Sequence, residues 1–516
     1  MILDKNSCRL FKQNFASGVV VFLVALPLCL GIALASGAPP LAGVIAGIIG
    51  GIIVGSLSTS HISVAGPAAG LVTVVLVAIT QLGRFELFLC AGIICAVIQI
   101  ILGSLRAGSI TNYIPIAVIE GMLAGIGILI ITSQLPYAFG NKHLFNELSL
   151  SFINIHLGSL IISLLSLLMM LGWERSATLK SIKMLPSALI AVIMSIGLNK
   201  LFAGTPLAIP ESQLVQLPIA HSWAEIGDLL YFPDWAGFHY SIVWSTGITM
   251  AIVASIETLL SIEAADRIDS KRRITDTNQE LKAQGIGNLV SALMGGLPIT
   301  AVIVRSSANA NAGETHKISS ILHGLLLLVC VLTIPTMLNQ IPLATLAAVL
   351  ILVGYKLTRP AVFQHFWQKG LYQFIPFLTT AIAVVALDLL KGVGLGLIIS
   401  ILFILQGNMK RAYYLSREEL ANANYIKIRL AEEVSFLNKA AIKKTLKNIH
   451  PNAKVIIDAT QTTYIASDVL ELIEDFANIT SRENNIRVYL KGFKSDYNNQ
   501  EIGHASHITV EHSRRI

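Results

Sequence analysis

Apolar positions dominate the chain up to about residue 410, and they occur in long runs without any charged residue. The runs Asn14–Ser60 and Ile318–Tyr355 are examples. Because a helix needs about 20 apolar residues to cross a bilayer, the pattern predicts about fourteen membrane-spanning segments. We place them near residues 14–36, 39–57, 62–80, 86–104, 113–135, 152–172, 181–201, 243–266, 280–297, 299–313, 317–338, 342–358, 371–389 and 391–409.

The pattern changes after Arg411 to mixed charge and short alternating runs. Tyr425–Leu430, Lys454–Thr460 and Asn485–Phe493 are typical of strands, and Ser467–Thr480 is typical of an amphipathic helix. These elements predict a small α/β domain. It contains no glycine-rich nucleotide loop and no catalytic cluster.

Composition and charge support a membrane protein. Hydrophobic residues make up 54% of the chain and charged residues only 13%, against about 25% charged in average soluble proteins. The net charge of +7 does not indicate nucleic-acid binding, because lysine and arginine concentrate in alternate loops, whereas the loop Leu201–Tyr240 contains neither. By the positive-inside rule this asymmetry predicts that both termini are cytoplasmic. We expect the protein in the inner (plasma) membrane.

Cysteine and glycine spacing indicates packing rather than chemistry. The five cysteines, Cys8, Cys29, Cys90, Cys95 and Cys330, have no metal-ligand spacing. Four of them lie in apolar runs, so buried thiols are expected. Glycines repeat every four residues from Gly43 to Gly55, which predicts close packing between helices.

Two stretches of the membrane part share the same order of features, Gly47–Gly70 and Gly285–Gly313. Each has a glycine-spaced span, a polar or proline break, a short β-branched piece and small residues that open another helix. Such paired interruptions indicate a transporter site between inverted repeats, here at about 14–201 and 243–410. The alternative is that both stretches are simply flexible membrane helices.

Arg305 lies in an uncharged stretch whose nearest charged neighbours are Lys282 and Glu314. An interrupted helix presents unpaired N–H groups and a positive dipole end at membrane depth. Gly66–Pro67 suits the start of such a helix, because proline at the first position loses no needed N–H. Two facing helix ends beside a guanidinium would form an anion site. Alternatively, Arg305 reaches an interface or pairs with an acid.

The sequence resembles the SulP sulfate-permease family, also called solute carrier family 26, over nearly its whole length. The matching motifs are "LPLCLGIALASGAPPLAG" (Leu26–Gly43), "ISVAGPAAG" (Ile62–Gly70), "NQELKAQGIGNLVSALMGGLPITAVIVRSSANANAG" (Asn278–Gly313) and "IDATQTTYIAS" in the tail. The resemblance implies an α-helical polytopic membrane protein of two inverted seven-helix repeats, with core and gate domains, followed by a STAS domain. It also implies transport of anions such as sulfate, bicarbonate, chloride or dicarboxylates.

The resemblance also implies where the anion binds, namely between the third and tenth segments. The corresponding residues here are Ala65, Gly66, Pro67, Ala68, Val304, Arg305 and Ser306, with Arg305 at the family's arginine. In the first span many sulfate- and chloride-type members read Pro-Gln-Gly where this chain has Pro27-Leu28-Cys29, and they carry an aromatic at the position of Ile32. Leu28 resembles the family's bacterial bicarbonate transporters, and Leu28 and Ile32 complete the expected site.

Glu257 lies about midway along the eighth segment, where an unpaired carboxylate is costly. Ser261 follows one turn later on the same helical face. In sodium-coupled bicarbonate members of the family, an acid here, a hydroxyl one turn on and a threonine before the tenth segment form a cation site, which implies Na⁺ at Glu257, Ser261 and Thr300. In proton-coupled members the acid carries the proton. A purely structural pairing of Glu257 with Arg305 or with a hydroxyl is the alternative.

These observations predict a secondary transporter rather than an enzyme. We expect it to carry a small inorganic anion of the bicarbonate or sulfate class by alternating access, coupled to Na⁺ or H⁺. An uncoupled anion channel or exchanger and a nucleobase:proton symporter are the alternatives, and a membrane-anchored signalling protein is a third. We expect the lipid bilayer and a homodimer as partners, no nucleic acid, and no cofactor besides Na⁺ as a coupling ion. The expected parts are a cytoplasmic N-terminus at 1–13, a transporter domain at 14–410 and a cytoplasmic STAS domain at 424–516.

Overall fold

The computed structural model describes residues 5–141, 155–176, 186–219, 225–314, 316–387, 389–410, 413–420, 423–493 and 508–512. The chain divides into two compact units, Met1–Leu397 and Ile398–Ile516. The first is helical apart from short strands, and the second combines a sheet with helices. This is the fold class that the sequence predicts.

A helix lies in each of the predicted segments. Up to residue 410, the described helices of nine or more residues are α1 (Lys5–Ala35), α2 (Pro40–Leu57), α3 (Ala69–Leu82), α4 (Phe85–Ser104), α5 (Ile116–Ala138), α6 (Leu157–Arg175), α7 (Ser187–Leu201), α8 (Ser241–Ile268), α9 (Thr277–Leu293), α10 (Ile303–Asn311), α11 (Ile318–Thr333), α12 (Leu343–Leu357), α13 (Pro360–Gln368), α14 (Leu371–Ala386) and α15 (Leu389–Lys410). Within the described ranges, eight helices are long and apolar enough to cross a membrane.

The third and tenth segments are only partly helical. Each begins with a three-residue strand, β1 (Ala65–Pro67) and β2 (Ile299–Ala301), before α3 and α10 start. The strands pair antiparallel, with Gly66 opposite Thr300. The expectation that Pro67 starts a helix is therefore wrong, because the chain stays extended through Pro67 and α3 begins at Ala69. Since proline has no N–H, it fits the end of a strand as well as the start of a helix.

The ninth segment and one additional helix also differ from the prediction. α9 begins at Thr277, before residue 280, because Asp276 caps it by accepting the N–H groups of Asn278 and Gln279 at 2.9 and 3.2 Å. It ends at Leu293, before residue 297, where Gly295 turns the chain with φ of 78°. The sequence pattern missed α13, a short helix between charged residues.

The predicted packing roles of glycine and cysteine are confirmed. A Cβ at Gly47 would lie 2.6 Å from Sγ of Cys29, and one at Gly51 would lie 2.7 Å from Cα of Gly324. α2 therefore approaches α1 and α11 closely. Among the described side chains, the buried cysteines without a disulfide are Cys29, Cys90, Cys95 and Cys330. The side chain of Cys8 lies outside the described residues.

The second unit contains a five-stranded sheet in the order β3 (Tyr413–Leu420), β4 (Ala423–Leu430), β6 (Lys454–Asp458), β8 (Arg487–Phe493) and β9 (Ile508–His512). The pair β3–β4 is antiparallel and the other pairs are parallel. β5 (Glu433–Val434) and β7 (Tyr464–Ile465) form a separate pair, and the helices are α16 (Lys439–Lys447) and α17 (Ser467–Asp475). The predicted strands and helix are present, whereas β3 and α16 were not anticipated. This is the α/β architecture expected of a STAS domain.

Candidate anion site

The paired strands β1 and β2 bring the two interrupted segments together. Their antiparallel register places the starts of α3 and α10 at opposite ends of the strand pair. Asn288, the last residue of the "QGIGN" motif, holds β2 in place. Its Oδ1 accepts the N–H of Ile299 at 2.6 Å, and its Nδ2 donates to the carbonyl of Ile299 at 3.0 Å. Ser291 donates to the carbonyl of Leu297 at 2.7 Å. The motif therefore holds the strand that leads to Arg305.

Arg305 is the third residue of α10, and its side chain is completely buried. Nη2 donates to Sγ of Cys29 on α1 at 3.3 Å, whereas Nε and Nη1 have no hydrogen-bond partner. No ion pair joins this guanidinium to a carboxylate in the part of the chain that the structure describes. Neither alternative for Arg305, an interface position or a structural ion pair, agrees with this geometry. A buried cation with unused N–H donors suits an anionic ligand.

Polar contacts fasten the start of α10 to the segment before β1. The Ser306 hydroxyl accepts the N–H of Val64 at 3.1 Å and donates to the carbonyl of Val302 at 2.9 Å. Nδ2 of Asn309 donates to the carbonyl of Ile62 at 3.0 Å. The N-cap residue Val302 has no side chain that can accept a hydrogen bond. The positive end of α10 therefore lacks a side-chain cap.

Most of the remaining predicted anion-site residues are apolar and belong to the hydrophobic core. Leu28 and Ile32 of α1 are buried in one core cluster with Ala65 and Ala68, and Val304 packs against that cluster. A side chain at position 66 would not fit, because the Arg305 guanidinium lies directly on the backbone of Gly66. The structure thus brings together Gly66 and Arg305 with the apolar residues around them.

Glu257 of α8 lies at the N-terminal end of α3, the helix that follows β1. Its Oε1 accepts the backbone N–H of Gly70 in the first turn of α3 at 3.2 Å, and its buried Oε2 has no hydrogen-bond partner. The alternative that Glu257 pairs with Arg305 is therefore wrong, because the carboxylate contacts the helix end instead. A carboxylate at a helix N-terminus is favourable, since the dipole is positive there.

The other two predicted cation ligands lie on elements that pack together. Thr300 is fully buried in β2, and its hydroxyl donates to the carbonyl of Ala301 at 3.3 Å. Ser261 belongs to α8, which packs against β2. Ser261 itself is half-buried. Cys29 and Gly70 are the site contacts that sequence reasoning missed. No local signal marks either residue, because each acts through a partner distant in sequence.

Comparison with known proteins agrees with this geometry. The profile of the Sulfate permease family matches residues 11–380. The chain belongs to this family. This sulfate permease family member is therefore a multi-pass membrane protein of an anion-transporter family, and it is not an enzyme. The nucleobase symporter alternative is left without support.

Individual relatives within the family extend the likeness. The chain is 27% identical to the putative sulfate transporter YvdB of Bacillus subtilis, over 77% of this chain and 74% of that protein. It is 24% identical to the bicarbonate transporter BicA of Picosynechococcus, over 77% and 71%. The structure of the murine solute carrier 26 family member A9 anion transporter in an inward-facing state superposes with a TM-score of 0.71 at 16% identity, over 97% of this chain and 90% of that one. This structural likeness concerns the fold alone.

Proposed function

We propose that this family member is a secondary active transporter that moves a small inorganic anion of the bicarbonate or sulfate class by alternating access, driven by Na⁺ or H⁺. The anion would bind at the uncapped start of α10, beside the free N–H groups of Arg305 and the backbone of Ala65–Ala68. Leu28 and Ile32 would exclude water from one side, which strengthens the attraction between the guanidinium and the anion.

The contact between Glu257 and Gly70 carries the proposal of coupling. An ionised Glu257 already uses the positive end of α3, and it adds a negative charge beside the strands that would receive the substrate. Its second oxygen is buried without a hydrogen-bond partner, and such an atom is costly when it is charged. A proton or a sodium ion would satisfy this oxygen and remove the repulsion between the carboxylate and the anion. Anion and cation would then bind together more favourably than either alone.

Na⁺ and H⁺ make different demands on the neighbouring residues. A hard cation prefers several oxygen ligands, and the hydroxyls of Ser261 and Thr300 together with the Glu257 carboxylate would supply them. A proton needs the carboxylate alone. We propose no resident cofactor, and Na⁺ would act as a transported coupling ion.

The proposal also covers the assembly of the protein and its location in the cell. We propose a homodimer in the plasma (inner) membrane with both termini in the cytoplasm. The positive-inside pattern of lysine and arginine supports the placement of the termini. Light scattering in detergent would measure the oligomeric state. Labelling of single cysteines introduced at each terminus of the protein, carried out in intact cells, would show on which side of the membrane each terminus lies.

The test is uptake of labelled bicarbonate and labelled sulfate into proteoliposomes, with an imposed Na⁺ gradient, an imposed pH gradient, or neither. Accumulation above equilibrium under one gradient supports coupled transport and identifies the cation. Uptake that equilibrates at the same level under all three conditions would instead favour an uncoupled channel or exchanger.

A further inference from the structure

The thiol of Cys29 is the side chain that contacts the Arg305 guanidinium, and the proposed mechanism gives it no role. Sγ accepts a hydrogen bond from Nη2 at 3.3 Å, and both side chains are completely buried. Nε and Nη1 of the same guanidinium have no partner. Nη2 is thus the nitrogen that the protein holds by a hydrogen bond, whereas Nε and Nη1 keep unused N–H donors.

The sulfur atom is itself held in place by packing. Cys29 lies on α1, and a Cβ at Gly47 of α2 would lie 2.6 Å from its Sγ. The thiol is therefore confined between the backbone of α2 and the guanidinium on α10. The guanidinium is also bounded by Gly66, where a Cβ would lie 2.9 Å from Cζ of Arg305. Three elements of the first half of the chain, α1, α2 and β1, thus lie around the thiol and the guanidinium carried by α10 of the second half.

We infer that Cys29 is a positioning residue that orients Arg305 for anion binding. The inference rests on the proposed function, because it assumes that the free N–H groups of Arg305 bind the anion. A long arginine side chain has many rotamers, and one that is held in place loses less entropy when a ligand binds. Sulfur is a weak acceptor, so the thiol would orient the guanidinium without competing strongly with a charged substrate.

The experiment compares substitutions that change the acceptor and preserve the packing. KM and Vmax for labelled bicarbonate and labelled sulfate are measured in proteoliposomes for Cys29→Ala and Cys29→Ser. We expect Cys29→Ala to raise KM about tenfold with little change in Vmax, the effect of losing one hydrogen bond to a charged group. Cys29→Ser retains an acceptor and should stay close to wild type. Cys95→Ala is the matched control, since Cys95 is equally buried and has no hydrogen bond among the described residues.

A second pair of variants covers the case in which Cys29→Ala does not fold. Cys29→Thr and Cys29→Val have nearly the same shape and differ in a hydroxyl against a methyl group. A lower KM for Cys29→Thr than for Cys29→Val supports the inference. Equal KM values within either pair, or a fall in Vmax alone, would overturn it and leave Cys29 as a packing residue between α1 and α2.

Arg305→Ala separates failure of this inference from failure of the proposed function. If Arg305→Ala raises KM and Cys29→Ala leaves it unchanged, only the positioning role is wrong. If Arg305→Ala itself retains the wild-type KM, the proposed anion site is wrong, and the inference about Cys29 is overturned with it. In an Arg305→Lys background, Cys29→Ala should add little, because an ammonium group cannot reproduce the geometry of the guanidinium.

Discussion

The guanidinium of Arg305 lies directly on the backbone of Gly66, so that a Cβ at position 66 would be 2.9 Å from Cζ and would overlap Nη1. The two residues belong to different halves of the chain and meet because β1 pairs with β2. The contact leaves no room for a side chain at Gly66, which lies opposite Thr300 in the strand pair. It should also make the proposed anion site sensitive to a single methyl group.

Gly66→Ala should displace the guanidinium and weaken anion binding. We expect KM for labelled bicarbonate or sulfate to rise by at least about tenfold, equivalent to ~1.4 kcal/mol. Gly172→Ala on α6 is the control, because a Cβ there meets no atom within 4 Å. A Gly66→Ala protein that is monodisperse and transports with the wild-type KM would contradict the proposed position of the anion.

Glu257→Gln should abolish accumulation driven by a cation gradient, because the amide keeps the size of the side chain but cannot gain or lose the charge. Exchange of anions at equal cation concentrations should survive, since it needs only the Arg305 site. Glu263→Gln is the control on the same helix, where Glu263 is exposed and pairs with Arg267. Gradient-driven accumulation by Glu257→Gln at the wild-type level would contradict coupling through Glu257 and favour an uncoupled channel or exchanger.

Ser261→Ala and Thr300→Ala distinguish the two coupling ions. If Na⁺ is carried, each change removes an oxygen ligand and should lower the apparent Na⁺ affinity in the uptake assay. If H⁺ is carried, both variants should behave like wild type, and uptake should follow the pH gradient. Unchanged Na⁺ affinity in a protein whose uptake depends on Na⁺ would exclude these hydroxyls as ligands.

Truncation after Lys410 should leave a membrane unit that still binds anion. The proposed site residues lie between Leu28 and Ser306, and the family profile ends at residue 380. Anion binding can be measured as ligand-dependent thermal stabilisation of the purified truncated protein. A folded, monodisperse truncation that no longer binds would show that the second unit contributes to the site.

Glu314 should make stability depend on pH. It is 7% exposed in the loop before α11, and burial raises the pKa of its carboxyl to about 7, while nearby Arg273 opposes this shift. Because this value exceeds the ~4.3 of an unfolded chain, the folded state binds more protons between about pH 4 and 7. The stability that depends on this group therefore falls as the pH rises through that interval.

Glu314→Gln removes this titration. At pH 8 the variant should be more stable than wild type by about 1–3 kcal/mol, since one pKa unit corresponds to ~1.4 kcal/mol, and the difference should shrink towards pH 4. Thermal unfolding of both proteins across this pH range measures it, and Glu211→Gln at an exposed position is the control. A stability difference that does not change with pH would contradict the assignment.

The sequence was informative wherever a property depends on residues close together in the chain. Hydrophobic runs of span length predicted the helical segments, and the strand and helix patterns after Arg411 predicted β4, β6, β8 and α17. Isolation in an uncharged stretch indicated Arg305, and mid-span position indicated Glu257. The functional roles of these two residues remain predictions.

The sequence by itself determined which segments are buried and which charged residues lie inside them, because periodicity and composition report the environment that each segment prefers. Only the tertiary structure decided what those residues contact. Arg305 meets Cys29 across 276 positions, and Glu257 meets Gly70 across 187. Pro67 ends a strand instead of starting a helix because β1 finds a partner in β2. These contacts arise when two halves of the chain fold against each other, and a local pattern carries no information about a partner that distant.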